Sequence, residues 1–367
     1  MSRAASPRRA SPADAGLRIA LHRLLNAVDR ELERRRVATD LEPARSAPVD
    51  IDRLSSLRRS LPDLVALGAA GARRLASLDG ADGAAATRRL AGFINQHAAL
   101  ARRRRRGEIG VDDFGFDREW TETLLPLSAW VYRNWWRVRA LGVENVPAQG
   151  RALLVANHAG VIPYDGAMVR TALLLEPAQP RHARALILNS LFSLPATSWL
   201  LRRTGNTLAH DVDAQRLLDR DELVLVFPEG VKGTGKPYAD RYRLRRFGRG
   251  GFVEVALRTG SPIIPISIVG SEELHPNLAE IPAVARLLGL PYVPVTPTFP
   301  WLGAAGLIPL PSSWVIEFHP PLTLSAEDRD AATDPGRILA ISDRARAVIQ
   351  EGVYRNLQRR RSVFALS

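Results

Sequence analysis

Two short polar segments, each directly after an apolar run, carry the residue types that can do chemistry. The first runs from Asn157-His158 to Asp165, and the second is Phe227-Pro228-Glu229-Gly230. A histidine can exchange a proton near neutral pH, and a carboxylate on one ring nitrogen fixes the tautomer that leaves the other nitrogen free for a substrate. His158 and Asp165 are therefore predicted to be a general base and its orienting carboxylate, provided that the intervening loop folds back.

The second segment is predicted to hold an anion. Gly230, Gly233 and Gly235 allow backbone amides to approach a ligand closely, because glycine has no Cβ. Lys232 and Lys236 are the two lysines of the chain, and both lie in this segment. With the resemblance described below, the residues predicted to bind substrate are Asn157, Phe227, Pro228, Glu229, Gly230, Lys232, Lys236 and Arg249.

The elements that position these groups follow from the apolar pattern. Uninterrupted apolar runs at 152–156 and 223–227 are typical of buried strands, so both polar segments begin where a strand ends. Strand and helix patterns then alternate, which predicts an α/β sheet domain. The predicted strands are 152–156, 184–188, 223–227, 262–269 and 314–318, and the predicted helices are 166–175, 194–203, 250–258 and 336–361.

These residues resemble the motifs of the lysophospholipid and glycerolipid acyltransferase superfamily, over roughly residues 107 to 350. That family has an Asn-His…Asp first motif and a Phe-Pro-Glu-Gly third motif, and the segment 261–265 is similar to its fourth. The resemblance implies a mixed β-sheet flanked by helices. It also implies that a fatty acyl group moves from acyl-CoA or acyl-ACP to a hydroxyl of a lysophospholipid or glycerolipid.

The spacing of the first motif departs from the usual family pattern. Six residues separate His158 from Asp165, where the family usually has four, and Pro163 stands at the position that four would give to the aspartate. The wider spacing is similar to the monoacylglycerol acyltransferase-like subgroup. Monoacylglycerol, diacylglycerol and long-chain (wax) alcohols therefore stay open as acceptors beside a lysophospholipid.

The resemblance further implies a direct mechanism. A thioester is already activated, so transfer to an alcohol chiefly needs a base and donors for the developing oxyanion. The chain has no cysteine and no Gly-x-Ser-x-Gly elbow, which favours direct attack over an acyl-enzyme. Lys232 stands where the family has an arginine for the acceptor's phosphate, and it keeps the charge without the bidentate geometry. Glu229 is expected to hold the loop or the acceptor.

Two hypotheses for a protein of another class stay open beside that of an acyltransferase. The segment 230–236 spells Gly-x-x-x-x-Gly-Lys, the start of a nucleotide P-loop, but Pro237 replaces the Ser or Thr that holds magnesium. A non-catalytic lipid-binding protein with the same fold is the second. The histidines show no metal-ligand spacing, so no metal is expected. No tightly bound cofactor is expected either, because the resemblance implies acyl-CoA or acyl-ACP as a co-substrate.

Composition points to an anionic surface as a partner. The 367 residues carry a formal net charge of +13, and the first residues lack the apolar segment of a secretory signal. Basic proteins are drawn to phospholipid or nucleic acid, and no motif here selects nucleic acid. We therefore expect a cytoplasmic chain, peripheral on the inner face of the plasma membrane. The five arginines at 102–106 fit either a lipid anchor or a solvated helix end.

Four regions are predicted along the chain. Residues 1–15 are too polar to fold and form a disordered tail. Helical spacing of apolar residues from 17 to about 101 predicts a basic, helical N-terminal region over 16–106. The acyltransferase-like domain covers 107–350, and 351–367 hold the end of a C-terminal helix and a tail. The charge-free, proline-rich segment 290–315 is predicted to face a membrane or line an acyl tunnel, with a buried loop packed on the domain as the alternative. The sequence leaves the oligomeric state open.

Overall fold

The computed structural model describes residues 110–160, 164–192, 195–281, 292–297, 308–325 and 334–360, with residues 95, 99, 102, 103, 106, 162, 285 and 328 singly. The predicted tail at 1–15, nearly all of the predicted N-terminal helices and most of the segment 290–307 lie outside these described residues. The predicted domain boundaries therefore stay predictions.

A seven-stranded mixed sheet forms the centre, in the order β1-β9-β6-β2-β5-β3-β4. All neighbouring pairs in it are parallel except β6 with β9. β7 and β8 form a separate two-stranded sheet. The strands are β1 Arg139–Leu141, β2 Ala152–Ala156, β3 Ala183–Ile187, β4 Thr207–Leu208, β5 Leu223–Val226, β6 Ile263–Val269, β7 Ala279–Glu280, β8 Pro294–Val295 and β9 Val315–Phe318.

Helices flank the sheet, which confirms the predicted α/β class. The α-helices described are α1 Arg118–Trp130, α2 Tyr164–Leu175, α3 Asn189–Phe192, α4 Pro195–Arg203, α5 Asp211–Leu218, α6 Val231–Thr234, α7 Gly251–Thr259 and α8 Pro335–Arg359. Each strand and helix predicted within residues 152 to 361 is present, with ends shifted by two residues at most. The sequence predictions omitted several elements that are short and have no long apolar run: β1, β4, β7, β8, α3, α5 and α6.

The core lies on both faces of the sheet. In β2, Leu154 points into one buried cluster while Leu153 and Val155 point into the other. Successive side chains of a strand alternate between faces, so a central parallel strand that is covered on both sides is apolar at every position. This explains why the runs at 152–156 and 223–227 are continuous. It also fixes where each strand ends and where the polar loop residues begin.

The segment 120–136, which has tryptophans at 120, 130, 135 and 136, divides between the core and the surface. α1 ends in a π-helical turn, Val131–Trp135. Trp136 is buried and stacks on Trp314, with ring centroids 5.1 Å apart, whereas Trp130 is exposed. Within the described part of the chain, no helix has the length and apolar character needed to cross a bilayer.

Candidate active site

The ends of β2 and β5 bring the two predicted motifs together. These strands are parallel neighbours, with Leu153 opposite Val224 and Val155 opposite Val226. Their carboxyl ends therefore meet at the same edge of the sheet, which is where α/β proteins place their ligands. His158 follows β2 and Phe227 follows β5 at this edge, and their rings stack with centroids 4.3 Å apart.

His158 and Asp165 form a hydrogen-bonded pair. The Nδ1 atom of His158 lies 2.7 Å from Oδ2 of Asp165. The carboxylate is fully buried in the first turn of α2, and it also accepts hydrogen bonds from the backbone amides of Ala159 at 3.0 Å and Gly166 at 2.9 Å. A buried carboxylate held in this way keeps the Nδ1 proton of the imidazole on its side. Nε2 of His158 is then the nitrogen left to accept a proton.

Gly160 allows the loop of six residues between His158 and Asp165 to fold back on itself. Its φ of +84° lies in the left-handed region, where a side chain would be strained. A Cβ at this position would also sit 2.8 Å from the backbone oxygen of Ser271. The loop after His158 can therefore fold back closely enough for Asp165 to reach the imidazole.

Asn157 is held by the neighbouring strand. Its Nδ2 donates to the backbone oxygen of Ile268 at 2.9 Å, and its Oδ1 accepts from the amide of Ile268 at 2.7 Å. Both ends of the amide are thus occupied and the residue is buried. Asn157, which the sequence suggested for substrate binding, ties the end of β2 to β6 and sets where His158 begins.

Glu229 joins the two motifs to a third segment. Its Oε1 accepts the backbone N–H of His158 at 2.9 Å, and its Oε2 accepts the backbone N–H of Arg245 at 2.5 Å. The side chain is completely buried. Of the two roles that the sequence left open for Glu229, holding the loop or holding the acceptor, the structure shows the first.

The turn after Glu229 packs against the backbone of His158. Gly230 has a φ of +55° and caps α6. A Cβ at Gly233 would lie 2.7 Å from the backbone oxygen of His158 and 2.8 Å from Cβ of Glu229. The carbonyl oxygen of Pro228 accepts the amide of Gly248 at 3.2 Å. The absence of a side chain at Gly233 therefore lets this turn pack against the backbone of His158.

A family model names the family, and a second comparison of sequence finds relatives of unknown function. Residues 137–269 match the family model described as Acyltransferase. An uncharacterized protein of Mycobacterium tuberculosis is 48% identical over 259 residues, which span 70% of this chain and 72% of that protein. An uncharacterized protein of Mycobacterium leprae is 47% identical over 259 residues, spanning 70% and 71%. The chain belongs to the lysophospholipid and glycerolipid acyltransferase superfamily.

A solved structure is also similar to this acyltransferase. The crystal structure of the 1-acyl-sn-glycerophosphate acyltransferase PlsC from Thermotoga maritima has a TM-score of 0.41 and 21% sequence identity, and the match covers 67% of this chain and 85% of that one. A likeness this distant says nothing about the substrate of the present acyltransferase.

The two lysines of the acyltransferase differ in exposure, since Lys236 is buried and Lys232 is exposed. Lys236 is buried, and its Nζ lies 2.9 Å from Oε1 of Glu272 and donates to the backbone oxygen of Arg243 at 3.1 Å. Burial raises the pKa of Glu272 to about 7, against the lowering effect of Lys236. Lys236 thus supports the loop from inside, and its predicted contact to substrate stays a prediction. The same geometry argues against a P-loop, whose lysine must reach a phosphate.

Lys232 and Arg249 face solvent instead. Together with Arg246 they line a cavity of about 500 Å³. Among the residues that the structure describes, none forms an ion pair with these three cations. Both predicted substrate-binding cations at this cavity are therefore placed where a ligand can reach them.

Residues of the C-terminal helix support the site without any signal in the sequence. Arg346 on α8 donates to the backbone oxygens of Arg245 at 3.1 Å and Leu244 at 2.8 Å. Gln350 accepts the amide of Leu244 at 2.8 Å and donates to the backbone oxygen of Tyr242 at 2.8 Å. These side chains hold the segment whose amide at Arg245 binds Glu229. The contacts span about a hundred residues, so no local pattern indicates them.

Proposed function

We propose that this acyltransferase moves a fatty acyl group from a thioester donor, acyl-CoA or acyl-ACP, to a hydroxyl of a lysophospholipid or glycerolipid. The observation that carries the proposal is the 2.7 Å contact between Nδ1 of His158 and the buried carboxylate of Asp165. It leaves Nε2 as a base at the carboxyl edge of the sheet, in a chain that belongs to this superfamily. Mono- or diacylglycerol and long-chain alcohols remain alternative acceptors.

The proposed reaction proceeds in one chemical stage without an acyl-enzyme. Nε2 of His158 takes the proton of the acceptor hydroxyl while the hydroxyl oxygen attacks the thioester carbonyl. The carbon–sulfur bond then breaks, an ester forms, and the imidazolium returns the proton to the departing thiolate. Asp165 stabilises the imidazolium and does not itself change protonation state. The chain has no cysteine to act as a competing nucleophile.

We also propose that the protein works at an anionic membrane surface, from the cytoplasmic side. Exposed large apolar side chains support this proposal, since such groups are costly in water when they cluster. Trp199 packs edge-to-face on Trp120 with centroids 5.2 Å apart, which joins α4 to α1. The exposed apolar residues of these two helices are Leu127, Trp130, Trp199 and Leu200.

The test is the release of free thiol from a long-chain acyl-CoA by the purified protein. Lysophosphatidic acid, another lysophospholipid, monoacylglycerol, a long-chain alcohol and no acceptor are compared side by side. The cysteine-free chain gives no thiol background. Acceptor-dependent release is expected, and the acceptor that produces it names the substrate class. A parallel series with acyl-ACP covers the second donor. If both series show no transfer while the protein still binds lipid vesicles, the chain is a non-catalytic lipid binder.

A further inference from the structure

The cavity beside the second motif has a cationic rim and an apolar floor. Lys232, Arg246 and Arg249 supply the rim, and the side chain of Phe247 is buried beneath it. The first turns of α8 close the opposite side. The full lining is Lys232, Arg246, Phe247, Gly248, Arg249, Pro335 and Leu339. With a volume of about 500 Å³, the cavity falls in the size range of small-molecule and cofactor sites.

The fold separates the arginines of this segment into those with internal partners and those without. Arg245 pairs with Asp240 at 2.8 Å, and Arg241 lies over the ring of Tyr238, with its guanidinium carbon 4.5 Å from the ring centroid. Arg246 and Arg249 have no such contact among the described residues, and both line the cavity. Their side chains are therefore available to a ligand, since no described residue forms an ion pair with either of them.

The cations, and not the end of α8, give the cavity its anion preference. The first amides of α8 are already used, because Asp334 caps the helix by accepting from Gly336 at 2.8 Å and from Arg337 at 3.4 Å. Arginine forms paired, charge-assisted hydrogen bonds with phosphate, and lysine adds a point charge. Several cations around one cavity match a ligand that carries more than one phosphate group.

From this we infer that the cavity binds the phosphorylated nucleotide of an acyl-CoA donor. This inference rests on the proposed function and selects acyl-CoA over acyl-ACP. Coenzyme A carries a 5′-diphosphate and a 3′-phosphate around an adenosine, which matches several cations above an apolar floor. A carrier protein presents a single phosphodiester, and a lysophospholipid a single headgroup phosphate, so each would leave part of the rim unused.

Two of the lining residues connect the cavity to the segments of the candidate active site. Lys232 precedes Gly233, which is in contact with His158. Gly248 of the lining donates its amide to the oxygen of Pro228 in the second motif. A nucleotide in the cavity thus leaves the flexible pantetheine arm to carry the thioester toward His158.

This inference is tested by isothermal titration calorimetry, which measures the binding of adenosine 3′,5′-bisphosphate to the full-length protein and needs no activity assay. We expect saturable binding to the wild type and a loss of roughly tenfold or more in affinity for Arg246→Ala and for Arg249→Ala, as for a lost charge-assisted hydrogen bond. Arg243→Ala is the matched control, since it removes an exposed arginine of the same segment that does not line the cavity. It should bind like the wild type.

Steady-state kinetics show whether the cavity binds the phosphates of acyl-CoA, of the lipid acceptor or of the membrane. Arg246→Ala and Arg249→Ala should raise the KM for acyl-CoA with little change in kcat or in the KM for the acceptor. A rise confined to the acceptor's KM would overturn the inference and assign the cavity to a lipid phosphate. Weaker binding to anionic vesicles with an unchanged donor KM would overturn it in favour of a membrane contact. Thiol release that persists without nucleotide binding would reject this inference and leave the proposed function intact.

Discussion

Glu229 accepts the backbone N–H of His158 through Oε1 at 2.9 Å, so the second motif fixes the position of the residue that carries the base. The other carboxylate oxygen binds the amide of Arg245. Arg346 of α8 binds the backbone oxygen of Arg245, and Gln350 binds the amide of Leu244. The imidazole is thus connected, through one buried carboxylate, to a segment near the C-terminus. We expect activity to depend on residues that never touch substrate.

Replacement of Glu229 tests that connection. Glu229→Ala leaves two backbone amides without their acceptor, each of which forms a hydrogen bond to a charged group worth about 1.5–3 kcal/mol. We expect a lower melting temperature and a large loss of kcat. Glu229→Gln keeps one acceptor oxygen, so its melting temperature and kcat should lie between those of the wild type and those of Glu229→Ala. Thermal unfolding and thiol release are measured on all three proteins, and wild-type kcat in folded Glu229→Ala would contradict the role given to this residue.

Asp165→Asn should separate orientation of the imidazole from folding. The amide keeps the size of the side chain but favours the wrong tautomer of His158, and comparable changes in hydrolases lower kcat by about 10⁴-fold. We expect a loss of at least about 10³-fold in kcat with a KM near that of the wild type. The measurement is steady-state thiol release at several acceptor concentrations. A variant with undiminished kcat would show that Asp165 does not orient the base.

Gly233→Ala should displace the catalytic loop. The added methyl group would lie 2.7 Å from the backbone oxygen of His158 and 2.9 Å from its Cβ, closer than side-chain carbons tolerate. We expect most of the activity to be lost, with destabilisation of about 1–3 kcal/mol from overpacking. Gly110→Ala, where a Cβ would meet nothing within 4 Å, is the control and should behave as the wild type. Equal effects of both changes would contradict the packing argument.

His319 should make stability depend on pH. Burial lowers its pKa from the ordinary 6.5, and Nε2 of the ring lies 2.7 Å from Oγ of Ser267 in the core. A histidine whose pKa is lower in the folded state binds fewer protons folded than unfolded. Its contribution to stability is therefore present above pH 6.5 and is lost as the pH falls below that value. The free energy of unfolding should drop more steeply over this range in the wild type than in His319→Gln, measured by urea denaturation; parallel curves would contradict the assignment.

The strands that carry the site were predictable, whereas the support around it was not. The apolar runs of β2 and β5 locate His158 and Phe227 at strand ends, because strands buried on both faces have no polar positions. No apolar run in the sequence indicates that Lys236 is buried. Its burial depends on a contact with Glu272, which is 36 positions away along the chain. The role of Gln350 is similarly hidden, since it depends on the way α8 packs across the loop at 242–246.

The most direct test of the account is the rate of thiol release by His158→Ala beside the wild type, at equal protein and with the acceptor that the wild type prefers. Circular dichroism first establishes that both proteins are folded. Because a positioned general base contributes about 10²- to 10⁴-fold, we expect the variant to release thiol at least about a hundredfold more slowly. A folded His158→Ala enzyme that transfers acyl groups within a few-fold of the wild-type rate would contradict the assignment of His158 as the base.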